Sequence, residues 1–543
     1  MKIVLAQINS TVGAFERNFQ KMGEVLRQNQ AADLVVFPEC ALCGYPAQDL
    51  LDYLDFLKQS EVYEQKLIES FPKQNFIFGN ISRNSGPGRP LHNAAVFVES
   101  GKIKARYAKR LLPTYDVFDE DRFFEPGRKA CLVEFKGKTL ALSVCEDIWN
   151  NEIQSDLHNR YEQYPLEDCR AADLLINISA SPFEASKVEA KRKMLDAIAK
   201  AFKKPFVYVN AVGANDSLIF DGRSYAWNQD GSFVLEGGAF AEQTYELELF
   251  DDSASSFVTP TKPNAIKDIY DALVLGIRDY AQKVGFKSAI LGLSGGIDSS
   301  VVACLAADAM GPTNVTGLMM PSRFTSKDSN EDALYIAKKM QNPLHIYIIE
   351  EMYTAALRTL SMAFKEVKED VTEENLQSRI RGMIVMAMSN KFGHLVLTTG
   401  NKSELAIGYC TLYGDMCGGL APLADVYKMQ VYELGHEANR RQERIPERVF
   451  SKPPTAELRE NQKDQDTLPP YERLDEILKD VIENFLTREA LIKKGHSKEE
   501  VEKTLKLLAA NEYKRYQMPL GLKVSSKAFG IGRRVPLVHR FFN

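Results

Sequence analysis

The segment Ser288-Ala-Ile-Leu-Gly-Leu-Ser-Gly-Gly-Ile-Asp-Ser-Ser-Val-Val-Ala303 constrains the fold more than any other part of the chain. Its apolar run, Ala289 to Leu293, has the length and composition of a strand buried in a parallel sheet. The run breaks into the turn Ser294-Gly295-Gly296, and a helix is predicted from about Asp298, with Val301, Val302 and Leu305 facing inward. Adjacent glycines let the backbone approach a ligand closely, and the helix N-terminus behind them presents free N–H groups to an anion. Ser294 and Ser299 add hydroxyl donors. Asp298 is repelled by phosphates unless a cation such as Mg²⁺ bridges the two negative groups. The pattern therefore points to a magnesium nucleotide whose pyrophosphate rests on the turn.

The Walker pattern Gly-x-x-x-x-Gly-Lys-Ser/Thr occurs nowhere in the chain. The segment instead resembles the Ser-Gly-Gly-x-Asp-Ser loop of the N-type ATP pyrophosphatases, which cleave ATP between its α- and β-phosphates to adenylate a substrate. That resemblance implies ATP contacts from Gly292, Leu293, Ser294, Gly295, Gly296, Ile297, Asp298 and Ser299, with Asp298 also at the metal. A glycine turn with two incidental serines is the plain alternative, and the strand–turn–helix context argues against it.

A chain of 543 residues is too long for one ordinary core, so several domains are expected. The net charge of −5 excludes a globally basic nucleic-acid binder, although not a local basic pocket. No apolar run approaches the ~18–20 residues needed to span a bilayer. Met1-Lys-Ile-Val-Leu-Ala-Gln-Ile-Asn9 reads as a first strand and not as a signal peptide, which makes the cytoplasm the expected location. The eight cysteines are scattered, and Cys40-x-x-Cys43 has no partner pair at zinc-site spacing. Neither a disulfide framework nor a zinc site is expected.

Residues 1–250 alternate strand-like runs with helical patterns. The strands are predicted at Lys2–Ile8, Asp33–Phe37, Phe76–Phe78, Ala94–Val98, Cys131–Phe135, Leu140–Val144, Leu174–Ile178 and Phe206–Val209. Helical spacing covers Phe15–Asn29, Leu54–Phe71 and Lys187–Phe202, and Asn228-Gln-Asp-Gly231 is a hairpin signal. A layered α/β domain with mixed sheets follows.

Three polar residues stand at or near strand ends in this half: Glu39 after Leu34-Val-Val-Phe-Pro38, Lys109 after Ile103-Lys-Ala-Arg-Tyr-Ala108, and Cys145 after Leu140-Ala-Leu-Ser-Val144. A free thiol is mostly protonated at neutral pH, with a pKa near ~8.5. A neighbouring ammonium favours the thiolate, and a carboxylate can take the proton and later return it. No histidine stands at any of the three positions. Singly, each has an ordinary reading as a helix cap, a surface lysine or a core cysteine.

Together, Phe-Pro-Glu39, Lys109-x-x-Leu-Pro and Val-Cys145-Glu-Asp resemble the nitrilase superfamily, whose Glu–Lys–Cys triad hydrolyses amide and nitrile C–N bonds. In finer detail, Lys109-Arg-Leu-Leu-Pro-Thr-Tyr115-Asp-Val-Phe-Asp-Glu120 and Ile178-Ser-Ala-Ser181-Pro-Phe183 followed by Lys187 are similar to the glutaminase domain of glutamine-dependent NAD synthetases. The resemblance implies that Glu39, Lys109 and Cys145 are catalytic and that Tyr115, Ser181 and Lys187 hold glutamine. Cys145 would form a γ-glutamyl thioester, release ammonia, and yield glutamate by hydrolysis.

The small, acidic run Phe250-Asp-Asp-Ser-Ala-Ser-Ser-Phe257 with the prolines of Thr259–Pro263 makes 251–263 the expected linker, between domains at 1–250 and 264–543. A helix is predicted at Ala265–Val284. Beyond the phosphate loop, strands at Val315–Met320, Leu344–Ile349 and His394–Thr399 alternate with helices, which implies an open, doubly wound parallel sheet. The helix at Asp332–Met340 is expected to start at a capping box, Ser329-Asn-Glu-Asp332. A second begins at Glu373, with Met383, Met386 and Met388 as core residues. Ligands of such sheets lie beyond the carboxyl ends of the strands, where Ser294 and Thr399 both fall.

Thr398-Thr-Gly-Asn-Lys-Ser-Glu404, Tyr413-Gly-Asp415 and Ala421-Pro-Leu-Ala-Asp-Val-Tyr-Lys428 also resemble NAD synthetases. The resemblance places Thr399 at ATP, Glu404 at the metal and the deamido-NAD, and Asn375 and Lys514 at the deamido-NAD. The polar stretch from Arg440 to about Tyr471 is expected to be a mobile loop that orders over the nucleotide. A positive tail containing Arg533, Arg534 and Arg540 reads equally as a phosphate contact or a solvated end.

The matches run from Glu39 to Lys514. They imply a nitrilase-like αββα sandwich followed by a doubly wound, adenine nucleotide alpha hydrolase-like domain. ATP is the expected co-substrate with Mg²⁺, glutamine and deamido-NAD are the other small molecules, and a homo-oligomer is implied, without nucleic acid or membrane. A carboxylate cannot condense with ammonia until its oxygen becomes a leaving group, and ammonia must stay unprotonated on its way to it. Two alternatives remain open on the sequence: an amidotransferase with another acceptor, since such loops also serve purine amidation and tRNA-base modification, or a synthetase using free ammonia beside a silent nitrilase-like module.

Overall fold

The computed structural model describes residues 1–149, 161–250 and 261–541. Two compact units result, Met1–Pro263 and Asn264–Asn543. Most of the expected linker, residues 251–260, lies outside the described residues.

The first unit holds two six-stranded sheets. One runs in the order Gln243–Glu248, Lys2–Gln7, Leu34–Val36, Phe76–Arg83, Leu91–Glu99, Lys102–Ala108. The other runs Phe233–Glu236, Tyr225–Trp227, Phe206–Asn210, Leu174–Ser179, Lys138–Val144, Cys131–Phe135. Alternating apolar residues of both sheets share one core, with Ile3, Leu5, Val36 and Phe97 against Leu142, Val144, Ile176 and Val209. Helices Phe15–Gln28 and Leu54–Ser70 cover one outer face, and Lys187–Phe202 covers the other. The order helix, sheet, sheet, helix is the αββα sandwich. The central strands of each sheet pair in parallel, so their carboxyl ends gather on one edge.

In the second unit the strands Leu344–Ile346, Val315–Met319, Ala289–Gly292 and Leu395–Val396 form a four-stranded, all-parallel sheet in that order. The chain winds outward in one direction from Ala289–Gly292 and then in the other. The Ser294 turn therefore sits at the switch point where such sheets bind ligands. Gly295, at φ 79°, passes so close to the Ser329 carbonyl that a Cβ would stand 2.1 Å from it. No side chain fits there.

Several local expectations change. The helix following the turn begins at Ile297. The next one starts at Lys327, because Ser326 and not Ser329 is the cap, accepting from the Ser329 N–H. The fourth strand is only Leu395–Val396, since Leu397 already bridges to Leu420 and the next helix begins at Lys402. Met388 packs on the core, but Met383 and Met386 do not: they are 55% and 36% exposed on the outer face of Val371–Phe392. The stretch after Arg440 carries a helix at Glu447–Ser451 and a turn at Asp464–Asp466. It is folded against its own unit, where Glu457 accepts from the Ser329 hydroxyl (2.8 Å) and the Ser326 N–H (3.3 Å). No helix of the described residues is long and apolar enough to cross a membrane.

Candidate active sites

In the first unit the chain ends of three parallel strands bring Glu39, Cys145 and the pair Ala180–Ser181 to one edge, and the last strand of the first sheet delivers Lys109. Lys109 is fully buried, its ammonium 2.9 Å from Glu39 Oε1 and 2.7 Å from Glu120 Oε1. Glu39 also accepts from Asn93 Nδ2 (2.7 Å) and from the Ala180 N–H (2.8 Å), which fixes both of its oxygens. Gly79 makes room for this: a Cβ there would meet Glu39 Cα at 2.5 Å. Cys145, only 5% exposed, opens a short turn in the left-handed region at φ 42°. A residue held so is over-determined by its surroundings and tends to mark a working position.

The electrostatics favour a resting thiol. Burial and the Glu39 charge push the Cys145 thiol well above its ordinary range, against the pull of Lys109. Burial opposes the Lys109 charge, but Glu120 and Glu39 outweigh it and hold the ammonium firmly protonated. Thiol activation here thus needs a base at the moment of reaction, and Glu39 is the carboxylate poised for it. Glu120, which the sequence reading passed over, is raised by burial to about 7 while bound by Lys109 and by the Tyr45 hydroxyl (2.9 Å). Its place at the end of the Lys109–Glu120 segment was the available signal.

Of the residues expected to hold glutamine, Tyr115 bonds to the neighbour of Cys145, and Ser181 directly follows Ala180, whose N–H binds Glu39. Tyr115 donates to Glu146, the neighbour of Cys145, at 2.9 Å, and the Tyr161 hydroxyl donates to the same carboxylate at 2.9 Å. Ser181, buried, has its N–H on Asn210 Oδ1 (2.9 Å). Lys187 lies with its ammonium 4.3 Å from the centroid of the Trp149 ring. Glu146 itself is a buried carboxylate beside the nucleophile that the sequence reading left without a role.

In the second unit a cavity of about 450 Å³ opens at the switch point. Gly292 through Ser299, Thr399, Asn375, Glu404 and Lys514 all line it, so every position expected at nucleotide or dinucleotide meets in one place. The Ser294 and Ser299 hydroxyls lie 3.0 Å apart within the turn. Asn375 Oδ1 accepts from Thr411 Oγ1 (2.7 Å), and the Lys514 ammonium donates to the carbonyls of Gly408 (2.7 Å) and Cys410 (2.8 Å). Arg533 is spoken for, 2.5 Å from Glu512.

Lys428 is the residue the sequence reading did not single out as a site. Buried at the cavity wall, it lies 2.5 Å from Asp298 Oδ2 and 3.3 Å from Glu404 Oε1, while Asn401 Nδ2 donates to Asp298 Oδ1 at 2.8 Å. Glu404 is raised by burial to about 8, with Lys428 pulling it down and Asp298 pushing it up. Two carboxylates offering hard oxygen donors beside a phosphate-binding turn fit Mg²⁺, which usually takes one or two protein carboxylates and completes its shell with phosphate and water. Among the described residues no group of three or more His, Cys, Asp or Glu could hold a metal without such help.

Comparison with known proteins follows the same division. Residues 2–250 match the carbon–nitrogen hydrolase family and residues 269–519 the NAD synthase family. The chain is 44% identical to the glutamine-dependent NAD(+) synthetase of Synechocystis sp., with 99% of each chain covered. It is 40% identical to that of Thermotoga maritima, covering 100% of this chain and 99% of the other. Among solved structures, the glutamine-dependent NAD+ synthetase from Acinetobacter baumannii in complex with ADP superposes at a TM-score of 0.77 with 38% identity, covering 99% of this chain and 98% of that one.

Proposed function

The chain belongs to the glutamine-dependent NAD(+) synthetase family, ligases that use glutamine as amide donor, and we propose how its two units divide that reaction. In the first unit, Cys145 attacks the side-chain amide of glutamine as Glu39 takes the thiol proton. The S–C bond forms, the C–N bond breaks, and the proton returned from Glu39 leaves with ammonia. Water, deprotonated by Glu39, then attacks the γ-glutamyl thioester; the C–S bond breaks, the proton returns from Glu39 to the Cys145 sulfur, and glutamate leaves. Lys109 stays charged throughout and stabilises the tetrahedral oxyanion. Tyr115, Ser181 and Lys187 seat the substrate, and Glu146 receives its α-ammonium.

In the second unit, the carboxylate of deamido-NAD attacks the α-phosphorus of ATP and pyrophosphate departs onto the Gly295–Gly296 turn. Ammonia then displaces AMP from the acyl carbon to give NAD. Gly292, Leu293, Ser294, Gly295, Gly296, Ile297, Ser299 and Thr399 bind ATP, while Asn375, Glu404 and Lys514 bind the dinucleotide. Asp298 and Glu404 would hold Mg²⁺, whose charge would offset that of the phosphates. The single observation that carries this reading is the convergence of those residues on one cavity at the switch point. Pyrophosphate release from ATP should rise at least about tenfold on adding deamido-NAD, and not on adding purine nucleotides or tRNA. Stimulation by another acceptor alone would move the protein to a different amidotransferase reaction.

We also propose that a second copy covers the edge of the second unit's sheet. Ile346 and Ile348 are 53% and 71% exposed at and just beyond Leu344–Ile346, the edge strand of that sheet. Apolar surface at an edge strand is a mark of an interface. Light scattering should find an oligomer that the double substitution Ile346→Lys, Ile348→Lys reduces to a smaller species. A monomeric wild type would remove the proposal.

A further inference from the structure

Two positions beyond Cys145, Asp147 is fully buried and its carboxylate is saturated with donors. Oδ1 accepts from the backbone N–H groups of Arg110 (3.0 Å) and Leu111 (2.9 Å). Oδ2 accepts from the Val144 N–H (3.0 Å) and the Tyr107 hydroxyl (2.8 Å). None of these donors belongs to Glu39, Lys109 or Cys145. Yet Arg110 directly follows Lys109, Val144 directly precedes Cys145, and Tyr107 lies on the strand that delivers Lys109. One carboxylate thus joins the segment carrying the ammonium to the elbow carrying the thiol.

Both segments need such a tie. Sheet pairing ends at Ala108, past which Lys109 bonds through its own N–H to Asn93 and its carbonyl to Gly127. The next two amides have Asp147 instead. On the other side, Cys145 holds a left-handed conformation that an ordinary side chain resists, and the bond from Val144 to Asp147 closes its turn like a helix cap. Asparagine could not replace this carboxylate, because its NH₂ would face donors where the oxygen now accepts.

We propose that Asp147 is a positioning residue for glutamine hydrolysis: it sets Lys109 and Cys145 relative to each other without touching substrate. The assignment rests on the glutaminase reading of this unit. It separates alignment from binding, since Tyr115, Ser181 and Lys187 keep their own supports.

The test is steady-state kinetics of the full-length D147N protein with glutamine and, in parallel, with ammonium as nitrogen donor. With glutamine, kcat should fall about 100-fold, the scale of a misalignment near 1 Å, while KM stays within about threefold. The ammonium-driven rate should be unchanged. Y107F removes one donor and keeps the charge, so it should lower the glutamine-driven kcat by up to about tenfold. A D147N kcat within about twofold of wild type, or a loss confined to KM, overturns the proposal. Should D147N fail to fold or lose both activities, Y107F decides: a selective fall in kcat supports the assignment and an unchanged kcat overturns it. C145A measured alongside separates the two layers. If C145A still uses glutamine, the glutaminase reading is wrong; if it does not while D147N does, only the role of Asp147 is.

Discussion

The Cys145→Ala protein should make no NAD from glutamine and a normal amount from ammonium. Among the described residues, Cys145 is the only thiol that shares the buried cluster with Lys109 and Glu39 while standing at the carboxyl end of a central parallel strand. Cys40 lies next to Glu39, but its sulfur points to Asn93, and its bond with Cys43 together with burial keeps it a thiol. With the nucleophile gone, no thioester forms, and the glutamine-driven rate should fall at least about 10³-fold. The synthetase cavity is lined only by residues from 292 to 519, so ammonium supplied from outside should still be used. Retained activity with glutamine would eliminate Cys145 as nucleophile. Loss with both donors, in a protein that still melts cooperatively, would mean that the thiol serves amide synthesis as well.

Much of this geometry was legible in the chain. The apolar run, the paired glycines and the helical spacing after them lie in one short segment, so the strand–turn–helix of Ser288–Ala303 was legible locally. The three strand-end residues Glu39, Lys109 and Cys145 were legible as a set only through resemblance, because nothing in their separate surroundings fixes how far apart they fold. What stayed hidden are groups whose meaning is purely tertiary. Glu120 matters because it shares Lys109, and Lys428 because it falls between Asp298 and Glu404. Met383 and Met386 mislead for a related reason. Helical spacing shows that residues share a face, and which face meets the sheet is settled by the neighbours on Val371–Phe392.

Lys428→Met should abolish NAD formation with either nitrogen donor and leave glutamine hydrolysis running. Methionine keeps the length and apolar stem of the buried side chain and removes only the charge. That charge is the one cation among the described residues paired with both Asp298 and Glu404. Even in its presence burial raises Glu404 to about 8; without it, two carboxylates would face each other across the phosphate-binding turn, and protonation or displacement of one is the relief open to them. Either change spoils the site for a nucleotide whose own charge must be balanced. Removing a preorganised charge of this kind costs on the order of 10²–10³ in rate. Glutamate release should persist, since Cys145, Lys109 and Glu39 all lie in the other unit. Asp298→Asn provides the complement: it removes an anionic donor and leaves the buried Lys428 ammonium with Glu404 alone, so NAD formation should drop. If Lys428→Met formed NAD within about threefold of wild type, the ammonium would be only a structural counterion, and the charge balance of the adenylation site would have to come from elsewhere in the cavity.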